Sequence, residues 1–249
     1  MLCSFAADPK VAPFKPKLPD TSLYPQGRYV YQRNCLVCHG EFGDGRGEMG
    51  RDFKARPRDF GRGIFKYHST PPGMLPTDLD LERTIRGGLA GTPMPVFSNL
   101  NEHEIKSVIE YVKSFSPRWK QATNYAPALK LPAQPAWFED AALVKELGAK
   151  GKVLFLSACA ACHGTDGNGR GATAKALEDS WGQPVTPSDL RQSTIRSGGT
   201  LEAVYRVIQT GIDGTPMPAF AGTLAEEQRW ELVAFIAQLR KEYAAESGK

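Results

Sequence analysis

The chain has 249 residues, enough for one large domain or two small ones, and its 41% apolar and 23% charged residues are typical of globular proteins. Its longest apolar runs, such as residues 232–236, are far too short to span a bilayer. The formal charge of +4 is mild and no basic tract is interleaved with aromatic residues, which argues against nucleic acid as a partner.

Residues 1–26 are predicted to form an irregular arm, because proline recurs through them and disfavours a regular helix. These prolines are Pro9, Pro13, Pro16, Pro19 and Pro25. A helix is predicted to follow, in which Gly27, Tyr31 and Cys35 are four residues apart and share one face. The glycine on that face would let a second helix approach closely.

This helix leads into the most informative stretch of the sequence, Cys35-Leu36-Val37-Cys38-His39. The pattern C-x-x-C-H is the attachment motif of c-type haem. Two thiols at this spacing form thioethers with the two vinyl groups of one porphyrin, and the adjacent histidine becomes the proximal ligand of the iron. The pattern returns as Cys159-Ala160-Ala161-Cys162-His163, so the sequence predicts two haem c groups.

Further helices are predicted after each motif, and no stretch alternates as a β-strand would. A middle helix is expected over roughly residues 79–86 and its counterpart over 201–209, with Gly88 and Gly211 as their stops. The fold class is therefore predicted to be all-α.

An amphipathic helix is predicted to close each half of the chain. Its apolar positions are Val108, Ile109, Val112 and Phe115 in the first half, and Leu232, Val233, Ile236 and Leu239 in the second. Cap-like pairs, Asn99 with Glu102 and Thr223 with Glu226, mark the expected starts of these helices.

An internal repeat relates the two halves. His39 and His163 differ by 124 positions, and Met94 and Met217 by 123. The first half has seven extra residues in the region 65–76, which its prolines predict to be a loop. We therefore predict two tandem domains, each a small helical bundle around one haem. The expected boundaries are 27–116 for domain 1, 117–150 for a proline-rich linker and lead-in that acts as a semi-rigid spacer, and 151–249 for domain 2.

A second repeated element supplies candidate distal ligands. Gly-Thr-Pro-Met-Pro occurs at residues 91–95 and again at 214–218. Each proline fixes its own φ and restricts the residue before it, so the methionine is held on a stiff loop. Ligation by one histidine and one methionine is typical of electron-transfer haem and raises its reduction potential.

Counting narrows the choice of ligands. From residue 121 onwards Met217 is the only methionine and His163 the only histidine. In the first half Met94 is preferred over Met49 and Met74, because it alone lies in the repeated element. The predicted haem-binding residues are Cys35, Cys38, His39, Met94, Cys159, Cys162, His163 and Met217, of which the two histidines and two methionines bind iron.

Two other uses of C-x-x-C-H fit the sequence less well. A structural zinc site needs four ligands, and the second half offers only the two cysteines and the histidine of its motif. A zinc site across both halves would leave the histidines and methionine loops without a purpose. A C-x-x-C redox disulfide is expected in a βαβ context, which this sequence lacks.

The remaining polar candidates are weaker. His68 lies in the extra loop of the first half and His103 in the first turn of a helix, and both are expected on the surface. Pro57 and Pro187 are candidates to orient the proximal histidines through their backbone carbonyls. Two pairs of arginines occupy matching positions in the two halves, Arg46 and Arg170, and Arg83 and Arg206. Each arginine either binds a haem carboxylate or is solvated.

On these residues the chain resembles the class I c-type cytochromes, in particular tandem dihaem members, over about residues 27–115 and 151–239. The resemblance implies one-electron transfer between respiratory redox proteins, such as an oxidase, a reductase or a dehydrogenase, by a protein that is not an enzyme. Two alternatives stay open. One is a dihaem enzyme of the peroxidase or thiosulfate-oxidising type, and the other is a fixed electron relay in a membrane oxidoreductase complex.

Haem is attached to such motifs outside the cytoplasm, which predicts a protein of the periplasm or of the outer face of the membrane. No export signal is visible, because Met1-Leu2-Cys3 has neither a charged region nor an apolar stretch before it. Cys3 is the one cysteine outside the two motifs. It is either the lipidated cysteine of a membrane-anchored lipoprotein or a stray thiol.

Overall fold

The computed structural model describes residues 14–248, so Cys3 and the first prolines of the arm lie outside the described residues. The first half contains α1 (Tyr24–Asn34), α2 (Leu36–His39), α3 (Asp78–Gly87) and α4 (Glu102–Ser114). The second half contains α5 (Ala141–Ala158), α6 (Ala160–His163), α7 (Leu201–Thr210) and α8 (Glu226–Ser247). Among residues 14–248 the only β-structure is two isolated bridges, which confirms the all-α prediction.

Each half is built on two long helices that pack together at a glycine. A Cβ atom on Gly27 of α1 would overlap the carbonyl of Ser107 on α4 and lie 2.7 Å from the Cβ of Tyr111. A Cβ atom on Gly151 of α5 would likewise overlap the carbonyl of Glu231 on α8. The close approach predicted at Gly27 is confirmed, and Gly151 makes the corresponding approach in the second half.

The shorter helices end where the sequence predicts, and the closing helices begin later. The C-terminal caps of α3 and α7 are Gly88 and Gly211, which have φ values of 60° and 71°. The N-terminal cap of α4 is Asn101, whose side-chain oxygen accepts from the backbone N–H of Glu104 at 3.0 Å. The expected N-terminal cap, Asn99, was wrong by two residues. The chain first completes a turn that packs Leu100 against the core.

The second closing helix has the same displacement. Before α8, the backbone N–H groups of Thr223 and Leu224 both donate to the carbonyl of Phe220, so the chain still turns there. Leu224 packs against the second core. The helix then starts after Ala225, whose N–H donates to the side chain of Gln228 at 2.9 Å.

The segment between the domains is held against both of them. Trp119 is buried in the first core, and the hydroxyl of Tyr125 donates to its carbonyl at 2.6 Å. Leu129 donates its N–H to the carbonyl of Ser69 at 2.7 Å, and Leu131 packs against the second core. These contacts make the segment part of the packing between the domains.

Candidate haem-binding site

The two C-x-x-C-H motifs have almost identical backbone geometry. The long helix stops at Cys35, whose N–H donates to Tyr31 at 2.8 Å, and a short helix then carries His39, whose N–H donates to the Cys35 carbonyl at 2.8 Å. In the second half Cys159 and His163 make the same two bonds at 2.8 and 2.9 Å. Both cysteines and the histidine of each motif therefore project from one tight turn.

Burial shapes the chemistry of the motif thiols. It raises the pKa of Cys35 to about 12 and that of Cys159 to about 11. A thiol becomes nucleophilic as its thiolate. Burial therefore disfavours the thiolate form of both thiols as long as they are not bound to a porphyrin.

Each motif histidine has one ring nitrogen occupied by the protein. Nδ1 of His39 lies 3.2 Å from the carbonyl of Arg58, and Nδ1 of His163 lies 3.3 Å from that of Ser188. A carbonyl only accepts, so Nδ1–H is the donor and Nε2 keeps its lone pair. Burial lowers the pKa of His39 to about 4 and lowers that of His163 as well. Both imidazoles are thus neutral and present Nε2 as a potential ligand.

The carbonyl that binds each histidine belongs to the residue after the expected proline. The turn after each motif explains this, because Gly45 and Gly169 have positive φ and pass directly beside Pro57 and Pro187. A Cβ atom on either glycine would lie 2.5 Å from the proline carbonyl. The carbonyls of the prolines therefore face these turns, and the next carbonyl in each segment reaches the ring.

The two methionine loops also share one hydrogen-bond pattern. The N–H of Met94 donates to Thr92 Oγ1 at 3.2 Å, and Thr92 Oγ1 donates to the carbonyl of Leu89 at 2.7 Å. Thr215 joins Met217 to Ile212 in the same way, at 3.2 and 2.8 Å. The threonine of Gly-Thr-Pro-Met-Pro thus ties the methionine to the start of its own loop. The repeat of that threonine was visible in the sequence, but its role was not inferred from it.

The glycine that ends each middle helix also makes room for the methionine loop. A Cβ atom on Gly88 would lie 2.9 Å from the carbonyl of Met94, and one on Gly211 would lie 2.9 Å from that of Met217. Both glycines have positive φ, so another residue there would be strained as well as crowded.

One cavity of about 1030 Å³ extends across both halves of the chain and is lined mostly by apolar side chains. Its lining includes all eight predicted haem-binding residues: Cys35, Cys38, His39, Met94, Cys159, Cys162, His163 and Met217. Cavities for a single ligand usually measure about 300–1,000 Å³. In each half the thiols, a neutral imidazole and a thioether line one apolar space, so the donor set fits a haem c in each half.

The competing methionines differ in their surroundings. Met49 also lines the cavity, but 52% of it is exposed. Met74 is not among the residues that line the cavity. Met94 lies half-buried on a loop that has a counterpart in the second half. These positions support the preference for Met94.

Cationic side chains line the cavity where the halves meet. Arg58 lies 4.1 Å from the ring of Trp181, and Lys66 Nζ lies 3.4 Å from Asp179. Burial lowers the pKa of Arg58 to about 10 and also lowers that of Lys66, while burial raises the pKa of Tyr67 to about 12. Together with Arg196, these groups make this part of the lining positive and suited to carboxylates.

None of the arginines singled out from the sequence lines this cavity. Arg46 and Arg170 are exposed, and Arg83 pairs with Asp80 at 3.0 Å. Arg58 has Ser188 at the matching position, so the repeat could not reveal it. Lys66 and Arg196 do match, because they differ by 130 positions as Pro57 and Pro187 do, but this pair was not recognised from the sequence. His103 is exposed, as expected.

The expectation for His68 was wrong, because its side chain is completely buried between the domains. Its Nε2 lies 3.4 Å from Asp213 Oδ1, close enough for an ion pair although not aligned as a hydrogen bond. His68 was expected on the surface because it lies in a proline-rich loop, and no local pattern indicates that this loop packs against the other half.

Within residues 14–248, no three His, Cys, Asp or Glu side chains are grouped as they would be to hold a metal ion. The same residues include no helix with the length and apolar character needed to cross a membrane.

Two helical bundles that present a C-x-x-C-H motif and a methionine loop to one cavity define a tandem dihaem c-type cytochrome. The chain belongs to the family described as cytochrome c oxidase, cbb3-type, subunit III, which matches it twice, over residues 22–112 and 146–236. Two haem c groups, one for each half, are covalently bound in such a protein.

Two similar proteins are subunits of cytochrome c oxidases by name. The cbb3-type cytochrome c oxidase subunits CcoP of Azospirillum brasilense and of Azospirillum sp. (strain B510) are both 26% identical to this chain, over 217 and 220 residues. Each alignment covers 86% of this chain and 61% of the relative, so the chain spans about three fifths of their length.

A solved structure is also similar. A chain of the Kuenenia stuttgartiensis reducing HAO-like protein complex Kustc0457/Kustc0458 superimposes with a TM-score of 0.80 at 34% identity. The match covers 86% of this chain and 95% of that one.

Proposed function

We propose that this protein passes single electrons between respiratory redox partners through two His/Met-ligated haem c groups. The observation that carries the proposal is the convergence of both motifs and both methionine loops on one cavity. The first group would be held by Cys35, Cys38, His39 and Met94, and the second by Cys159, Cys162, His163 and Met217.

The protein's own residues have four tasks in this proposal. The thiols hold each porphyrin covalently, and the Nδ1–H bonds of His39 and His163 fix their rings so that Nε2 is available. The stiff loops offer Met94 and Met217 as thioether ligands, and the apolar lining excludes water. When bound, haem supplies a one-electron iron couple whose potential depends on these ligands and on burial.

The cations at the junction of the halves complete the arrangement. Each haem carries carboxylate groups, and desolvated carboxylates need cationic or hydrogen-bonding partners. Arg58, Lys66 and Arg196 line the cavity, and Asp179 is the single carboxylate among the described residues that line it. We therefore propose that these three cations compensate haem carboxylates.

We further propose that the domains correspond to residues 27–116 and 151–249, with the amendment that α5 extends the second bundle back to Ala141. The relatives are subunits of an oxidase and a chain of a multiprotein complex by name. This favours a fixed relay within a complex over a free shuttle. Covalent haem attachment supports a location in the periplasm or on the outer membrane face, where a complex or a lipidated Cys3 would retain the protein.

The test is a haem count and a redox titration on the matured protein. We expect two haems per chain that stay with the polypeptide in acidified organic solvent. Potentiometry followed by absorption should give two one-electron steps at positive potentials, with a near-infrared sulfur-to-iron band for each haem. Release of the pigment, or one iron per chain, would contradict the proposal.

Two further measurements separate this proposal from the alternatives. A high-spin ferric spectrum combined with turnover of peroxide or thiosulfate would indicate a dihaem enzyme. Purification from membranes of the source cells under mild detergent would distinguish a complex-bound relay, which copurifies with its partner subunits, from a free carrier.

A further inference from the structure

Two of the places where the internal repeat breaks meet in the fold. The first is the region 65–76, where the first half has seven extra residues, including His68. The second is Asp213, which directly precedes the second Gly-Thr-Pro-Met-Pro element where the first half has Ala90. Each residue is therefore peculiar to one half, and neither is needed to build a bundle of this type.

His68 and Asp213 contact each other in a desolvated place. Nδ1 of His68 donates to the carbonyl of Thr70 at 2.9 Å, which leaves Nε2 to face Asp213 Oδ1 at 3.4 Å. The other carboxylate oxygen of Asp213 accepts from the backbone of Gly73 at 2.9 Å. The extra loop of the first half thus contacts both oxygens of a carboxylate in the second half, one through a hydrogen bond and the other through the imidazole.

Asp80 is the other carboxylate near His68, and it is already satisfied. One of its oxygens accepts from the backbone and hydroxyl of Ser69 at 2.9 and 2.8 Å, and the other accepts from Arg83 at 3.0 Å. Asp213 is therefore the carboxylate that directly faces the imidazole.

Asp213 is also part of a rigid connection to the second methionine. Its neighbour Ile212 donates its N–H to the carbonyl of Met217 at 3.1 Å and accepts from Thr215 Oγ1 at 2.8 Å. The carbonyl of Gly214 accepts from Ser180 at 2.9 Å. A loop closed on itself in this way moves as a unit, so the contact at Asp213 restrains Met217.

We propose that His68 and Asp213 are positioning residues through which the first domain holds the second methionine loop in place. The inference rests on the proposed role of Met217 as an iron ligand. It goes beyond that role because it makes ligation of one haem depend on contact between the domains. The first methionine loop has no such restraint at the matching position, where Ala90 has no polar side chain.

The test compares His68→Gln, Asp213→Asn and the double variant with wild type and with His103→Gln, the same exchange at an exposed histidine. Asn keeps the volume and an oxygen for the Gly73 N–H, so folding is expected to persist; Asp213→Ala, which copies Ala90, is the second variant. Imidazole is titrated into the ferric holoprotein, where it competes with the methionine ligands. The second haem is assigned with Met217→Ala.

Removing a charged partner at a buried site is expected to raise the population of the open loop about tenfold. The apparent Kd for imidazole at the second haem should then fall about tenfold in each single variant. The double variant should change no more than either single one, because the pair acts as a unit. The midpoint potential of the second haem should also fall, and the first haem should keep its potential and its imidazole affinity.

Wild-type imidazole binding and potentials in the folded variants would overturn the proposal. Equal changes at both haems, or equal changes in His103→Gln, would do the same. If the wild type lacked the sulfur-to-iron band at the second haem, the ligand role of Met217 would fail first, and this inference would fail with it. If the sulfur-to-iron band of the second haem is present in the wild type but does not change in the His68 and Asp213 variants, only the positioning role is contradicted.

Discussion

His39 and Phe60 lie stacked, with ring centroids 4.5 Å apart and ring planes inclined by 17°. The residue that matches Phe60 in the second half is Leu190, and both make the same backbone bond, to Gly43 and Gly167 at 2.7 and 2.8 Å. The same backbone position therefore carries an aromatic ring that stacks on the first histidine and an aliphatic side chain in the second half.

Phe60→Leu tests the aromatic support of the first histidine. The ring of Phe60 also packs against Phe65 and Phe115, with centroids 6.0 and 6.1 Å away. We expect a loss of about 1 kcal/mol in the free energy of unfolding, a typical value for aromatic pairing beyond area burial. Chemical denaturation followed by far-UV circular dichroism measures it. Phe42→Leu, at a side chain that is 75% exposed, should change stability by less than about 0.5 kcal/mol.

Gly27→Ala tests the close helix pairing of the first half. The new Cβ would overlap the Ser107 carbonyl on α4, so the helices must move apart at a cost of about 1–3 kcal/mol. Gly87→Ala provides the control, because a Cβ there would meet no atom within 4 Å. Thermal unfolding of both holoproteins compares them. Equal stabilities for the two variants would show that the helices pack less tightly in solution than in this structure.

Much of this site could be predicted because its chemistry is encoded locally. Cys35, Cys38 and His39 lie within five residues, so their spacing alone specifies the attachment motif. Gly27 could be recognised because helical periodicity places it on the same face as Cys35. The repeated methionine element could also be recognised from the sequence, since two prolines around one methionine restrict the backbone wherever they occur.

The features that the sequence did not reveal depend on contacts between distant segments. His68 was expected on the surface because loops usually are, and nothing local indicates that Asp213 covers it. The carbonyl that accepts from His39 was predicted to be that of Pro57, but it is that of Arg58. The sequence did not reveal this, because the direction of a carbonyl depends on how Gly45 turns past it. Asn101 was missed as a helix cap because Asn99 matches the same local pattern equally well.

Thr92→Val and Thr215→Val test the internal tie of each methionine loop. Valine keeps the shape but removes the hydroxyl that accepts from the methionine N–H, at 3.2 Å in both loops. A hydrogen bond of this kind contributes about 0.5–1.5 kcal/mol. We expect each exchange to weaken methionine ligation only at its own haem, measured as stronger imidazole binding there. An effect at the opposite haem would contradict the independent loops that we describe.

Met217→Ala and Met94→Ala test the ligand assignment itself. Each variant should lose the sulfur-to-iron band of one haem and turn that haem high-spin in the ferric state, because no other thioether replaces the ligand. Met74→Ala is the matched control, since Met74 does not line the cavity. Ferric absorption and electron paramagnetic resonance spectra report the spin state. An unchanged spectrum in Met94→Ala would return the choice to Met49, which does line the cavity.

Stability should also depend on pH through His68. Burial alone would lower the pKa of His68, but the adjacent carboxylate of Asp213, the hydrogen bond to the Thr70 carbonyl and the charge of Asp80 together outweigh burial and hold this pKa above 6.5. A histidine whose pKa is raised by folding stabilises the native state fully below its unfolded value of about 6.5, and this contribution disappears as the pH rises through the folded value. The difference in unfolding free energy between wild type and His68→Gln should therefore be largest near pH 6 and shrink at alkaline pH. Urea denaturation at a series of pH values measures this difference. In an Asp213→Asn background the extra stability near pH 6 should shrink, because the nearer of the two carboxylates that favour the charged imidazole is gone while burial still opposes the charge. A difference that stayed constant across the pH series in the wild-type background would mean that His68 does not change its charge there.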